Sequence, residues 1–162
     1  INKVFDPVIV RKYKGPYWVR KRLGGNWDLK YSPIYNSENM LLYFKRYKYN
    51  YDWHDIEEYQ DVVSDILSGK RREKSITLTQ LNERLTYYDQ MVQDIKVNGF
   101  KTQKELGLKT IWDESQIAVT RQGDYLFMGG WHRFRIAKAL NFKKMPVIIR
   151  LIHSDFKGDI TD

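Results

Sequence analysis

Residues 125–140, YLFMGGWHRFRIAKAL, set two adjacent glycines between an apolar run of strand character and a segment with helical spacing. Gly129 and Gly130 let the backbone turn tightly and approach a ligand without a Cβ in the way. The amides of Gly130, Trp131, His132 and Arg133 then point out of a helix start, where the first four N–H groups have no partner within the helix. That end carries the positive pole of the helix dipole and suits a phosphate, to which the Arg133 guanidinium can add two parallel hydrogen bonds. Cations in a first helical turn are themselves unfavourable, and a bound anion would relieve that conflict. The blander alternative is a tight strand-to-helix turn without a ligand, in which His132 is a structural hydrogen-bonding residue.

Downstream, Pro146 leads into the β-rich run 147–152. Upstream, two apolar runs, 117–120 and 125–128, flank the turn-forming Arg121, Gln122, Gly123 and Asp124 and predict a hairpin. Ile56, Tyr59, Val62, Val63, Ile66 and Leu67 recur at three and four spacing, behind Glu57 and Glu58 and before Gly69, so a helix is expected over residues 55–68. A second helix is expected from near Thr79, with Leu81, Leu85, Tyr88, Val92 and Ile95 on one face and Asn98 and Gly99 at its end. The order helix, strand, strand, helix, strand predicts an α+β fold, a small mixed sheet with flanking helices. In the first fifty residues the periodicity is weak, and residues 4–10 and 40–44 read as short strands or buried segments.

The run GGWHRFRIAKALNFKKMPVIIRLI, residues 129–152, resembles the glycine, His-Arg, helix and Pro-Val strand signature of the ParB/sulfiredoxin superfamily. A helix ending in glycine precedes the strands in that family, as the helix ending at Gly99 does here. The resemblance covers residues 75–153. It implies a ParB/sulfiredoxin-like nucleotide-binding domain over 75–162; residues 1–74, to which it does not extend, read from their composition as a basic, aromatic-rich N-terminal extension with one helix over about 55–68. It further implies that Gly129, Gly130, Trp131, His132 and Arg133 hold the phosphates of a nucleotide such as ATP, ADP or CTP, with Mg2+ bridging them. Sulfiredoxins carry a cysteine nucleophile where Trp131 stands, and this chain has no cysteine, which excludes sulfinic acid reduction. Chromosome-partition ParB proteins have a Gly-Glu-Arg-Arg form and a following helix-turn-helix domain, for which the residues after Leu140 are expected to be too few. The Gly-x-His-Arg form of the free-serine kinases is the most similar. Those enzymes work with a glutamate near the bound hydroxyl, and Glu83 and Glu114 are candidates for it by position. His132 would hold a phosphate oxygen or shuttle a proton; Arg135 and His153 are peripheral candidates.

With 162 residues the chain suits one domain, or one domain with an extension. The lack of cysteine also excludes disulfides and zinc–thiolate sites. No apolar run approaches the ~18 residues that a membrane span needs, and residues 1–15 hold too short an apolar stretch for a signal peptide, so a soluble, cytoplasmic protein is expected. No set of metal ligands is identifiable from spacing. The net charge of +8 belongs to residues 1–50, which hold 11 Lys or Arg against three Asp or Glu, whereas residues 51–162 hold 17 of each. Tyr35, Tyr43, Tyr47, Tyr49, Tyr51 and Trp53 interleave with Lys45, Arg46 and Lys48, a composition that serves either a packed core or a stacking surface for single-stranded nucleic acid.

Two functional expectations follow. One is a nucleotide-binding enzyme that transfers a phosphoryl group to an unidentified small-molecule acceptor, or hydrolyses the nucleotide. The alternative is a DNA- or RNA-binding or ParB-like nuclease module that uses the basic first third.

Overall fold

The structure, a computed structural model, describes residues 3–5, 20–33, 38–72, 74–107 and 114–160. The hairpin expected around the 121–124 turn lies at the middle of the sheet. Its strands, β4 (Gln116–Val119) and β5 (Tyr125–Gly129), pair antiparallel, and the amide of Gly123 closes the turn on the Thr120 carbonyl. The run after Pro146 forms β6 (Ile148–His153), parallel to β4.

Three short strands from the first third complete the sheet: β1 (Lys3–Phe5), β2 (Lys21–Leu23) and β3 (Tyr31–Pro33). The order is β2-β6-β4-β5-β1-β3, with β2 parallel to β6, β1 parallel to β5, and β3 antiparallel to β1. Lys21 and Arg22 on one edge strand and Pro33 on the other blunt the two edges against further pairing. Among the described residues there are four α-helices: α1 (Glu38–Tyr43), α2 (Glu57–Leu67), α3 (Leu78–Asn98) and α4 (Trp131–Ala139). The fold class is thus α+β with a small mixed sheet. Among the described residues no helix is long and apolar enough to cross a membrane.

The chain divides into two compact units that interleave along the sequence. One comprises residues 1–36, 102–134 and 145–162; the other comprises 37–101 and 135–144. A boundary at 74/75 falls inside the second unit, and the strands of the first third belong to the sheet of the first.

In the first unit, Trp27, Ala118, Leu126 and Leu151 form a buried cluster, with Leu23 and Met128 packed against it. Phe127 is fully buried; its ring stacks on Phe134 at 4.1 Å and meets the edge of Trp131 at 4.8 Å, which seats the first turn of α4.

In the second unit, the face of α3 read from the sequence is the buried one: Leu81, Leu85, Tyr88, Val92 and Ile95 join Tyr59, Val62 and Ile66 of α2. Thr77 caps α3 by accepting the Gln80 amide at 3.2 Å, and Gly99 ends it at a φ of 74°, a conformation that glycine adopts without strain. Residues 40–44 are helical, not extended. Met40, Leu42 and Tyr43 are buried while Leu41 is exposed, and the apolar run of five had masked that helical spacing. The described part of the 4–10 run is a strand only as far as Phe5; residues 6–10 lie outside the described residues.

Candidate functional site

Gly129 ends β5 opposite Gln116, and Gly130 makes the turn into α4 at a φ of 78°. A Cβ on Gly130 would overlap the Glu114 carbonyl and lie 2.6 Å from the Ser115 Cα, so glycine is demanded there both by conformation and by close backbone approach. The Gly130 carbonyl accepts the Phe134 amide at 3.2 Å, the first hydrogen bond of the helix. Trp131, His132 and Arg133 therefore occupy its first turn, whose amides lie along the axis at the positive end. Trp131 and His132 are half-buried, and Arg133 is buried.

Two sequence candidates meet at this turn. Arg133 donates from Nη1 to Oε2 of Glu114 at 2.7 Å, and Oε1 of Glu114 accepts the Gln103 amide at 2.5 Å. Glu114 is buried too, so this is a buried, hydrogen-bonded ion pair. It removes the conflict of a cation in a first helical turn, because a carboxylate is supplied from within the chain. The approach of Glu114 to the turn is thus made twice, once through its carbonyl beside Gly130 and once through its side chain on Arg133.

The remaining candidates have the following surroundings. Glu83 is exposed on α3, in the second unit. Arg135, one helical residue pair beyond the turn, is buried in that unit with its guanidinium 5.6 Å from the centre of the Tyr43 ring. His153 is buried at the end of β6; its Nδ1 accepts the Asp155 amide at 3.1 Å, so Nε2 carries the proton and donates to the Gly25 carbonyl at 2.8 Å. Neither ring nitrogen of His153 is turned to the 129–133 turn; both hold main-chain segments.

A second polar cluster escaped sequence reasoning. Asp28 is buried and takes hydrogen bonds from the Arg121 side chain at 2.8 and 2.7 Å and from its amide at 3.0 Å. Arg121 also reaches the Gly25 carbonyl at 2.8 Å, and the Trp27 ring lies 5.5 Å from that of His153. Hydrogen bonds from the Arg121 guanidinium, against the cost of burial, lower the pKa of Asp28 to about 2. The Gly25-Asn26-Trp27-Asp28 segment is in this way pinned to the hairpin turn and to the end of β6. Its signal in the sequence was a lone acid in a basic stretch, Asp28 being the single carboxylate between Asp6 and Glu38.

No family model matches the chain, and no curated protein or solved structure matches it.

Of the aromatics between residues 43 and 59, Tyr43 and Tyr59 belong to the core of the second unit and Phe44, Tyr47 and Trp53 pack against it, whereas Tyr49 and Tyr51 are exposed; Tyr35 lies outside the described residues. Tyr43, Tyr59 and Tyr88 are buried, and the Tyr43 ring lies 6.0 Å from that of Tyr88. The cations between them are engaged: Lys45 with Glu58 at 2.8 Å, and Arg46 with Asp89 through two hydrogen bonds of 3.2 and 2.8 Å. Lys48 lies over the rings of Phe44 and Tyr49. Among the described residues no group of three or more His, Asp or Glu side chains is placed to hold a metal ion. Magnesium on a nucleotide is ordinarily held by one or two carboxylates and the phosphates, so a cluster of that size is not required of a nucleotide site.

Proposed function

We propose that the protein binds a nucleotide, with its phosphates at the 129–133 turn, and transfers or hydrolyses a phosphoryl group. The observation that carries this reading is Gly130. Its φ of 78° turns β5 directly into α4, so the amides of the first helical turn and the half-buried His132 come together at one positive helix end. The resemblance of residues 129–152 to the Gly-x-His-Arg form of the ParB/sulfiredoxin superfamily supports the same ligand class. Arg133 contributes differently from the expectation, since Glu114 already compensates its charge. Recognition then rests mainly on main-chain amides and His132, donors that suit a phosphate oxygen. Mg2+, carried in with the nucleotide, would neutralise phosphate charge during transfer.

Calorimetric titration of the whole chain with ATP, ADP, CTP and GTP, each with and without Mg2+, tests the reading. Saturable binding of at least one, weakened by His132→Ala, is the expected outcome. Heat-silent titrations with all four nucleotides would remove it. The alternative, nucleic acid held by the basic first third, gains no specific support from Lys45 and Arg46, which are committed to carboxylates.

A further inference from the structure

We infer that Glu114 is a positioning residue of the 129–133 turn, one that orients Arg133 and fixes the start of α4, and that it does not exchange protons with a substrate. The functional part of this inference rests on the nucleotide reading above; the geometric part does not.

Four observations bear on it. Both carboxylate oxygens of Glu114 have partners on the protein, Oε1 the Gln103 amide and Oε2 the Arg133 guanidinium. The residue is only 4% exposed, whereas an acid or base must reach a substrate or an ordered water. Its carbonyl fills the space a Cβ on Gly130 would need, so side chain and main chain both act on the same turn. Finally, Arg133 sits where the helix dipole disfavours a cation, and the Glu114 carboxylate supplies the compensating charge.

A consequence for the ligand follows. Because the pair is neutral as a whole, the turn meets a phosphate with oriented N–H dipoles and His132 instead of an uncompensated guanidinium. Removing the carboxylate charge takes from the buried Arg133 its ion pair with Glu114, which loosens the hold on the guanidinium. The damage appears first in the turn itself, whether or not any ligand is present.

The experiment compares wild type, Glu114→Gln and Glu114→Asp in two readouts. The first is amide hydrogen exchange by NMR, without ligand. Glu114→Gln is expected to speed exchange at the Phe134 amide, whose hydrogen the Gly130 carbonyl accepts, and at the next amides of α4 by about tenfold or more, while the core amides of α3 keep their protection. Unchanged exchange at those α4 amides would overturn the inference, as would an equal loss of protection in α3, which marks general destabilisation. The second is titration with ATP and Mg2+ and the pH profile of any turnover. Glu114→Gln is expected to bind about tenfold more weakly, Glu114→Asp to recover part of that loss, and the acidic limb of the pH profile to persist in both. Wild-type affinity in Glu114→Gln, or disappearance of the acidic limb, would contradict the assignment. Should wild type bind no nucleotide, the proposed function fails, and the exchange readout still decides the role of Glu114.

Discussion

Asp28 and Arg121 stand 93 residues apart in the chain and are joined by three hydrogen bonds, two from the guanidinium and one from the main chain. The aspartate side chain is fully buried, whereas that of Arg121 is 28% exposed. Through this pair the Gly25–Asp28 corner, which has little regular structure of its own, is held to the hairpin turn. Asp28→Asn keeps the shape but removes the charge and turns a donor toward the guanidinium. It is expected to destabilise the protein by about 2 kcal/mol, read as a lowered midpoint in urea unfolding. An unchanged midpoint would show that the corner is not held by this pair.

The same carboxylate sets an acid limit. Its pKa is depressed to about 2 in the folded state, chiefly by hydrogen bonds from Arg121, against about 3.9 when unfolded. A depressed carboxylate contributes stability that is complete above the unfolded value and is lost as pH falls from about 4 through about 2. Thermal melts across that interval should therefore show a steeper loss for wild type than for Asp28→Asn. Parallel profiles for the two proteins would contradict the assignment.

The two glycines of the turn are predicted to differ. Gly130 lies at a φ of 78° with backbone where a Cβ would go, so Gly130→Ala is expected to cost more than about 2 kcal/mol. Gly129 has no such φ, and a Cβ there meets the Gln116 side chain at an ordinary 3.6 Å, so Gly129→Ala should fall within about 1 kcal/mol of wild type. Chemical denaturation of both variants measures the contrast; equal costs would show that the turn is not held as described.

Much of the middle and end of the chain was legible because its signals are local. The stripe from Leu81 to Ile95 repeats over four turns, and Gly99 marks its end within the same window. The 121–124 turn joins two strands that are neighbours in sequence and in space. The first third was less legible for a physical reason. β1, β2 and β3 are three residues each and are specified by partners far away, β2 by β6 across most of the chain. Asp28 and His153 gave no periodic signal, since each is buried by the corner around Trp27. In the 129–133 turn the glycines and the cations could be read, but the Glu114 carboxylate that compensates Arg133 lies 19 residues away, and no spacing rule joins the two.

The central claim is that the start of α4 receives a nucleotide's phosphates. Its most direct measurement is an amide NMR titration of the full chain with ATP and Mg2+, and separately with inorganic triphosphate. The account predicts saturable shifts centred on the amides of residues 130–133 with both ligands, while those of the Asp28–Arg121 corner stay in place. Binding that leaves the 130–133 amides unmoved, or shifts only the exposed cations of the first third, would contradict it.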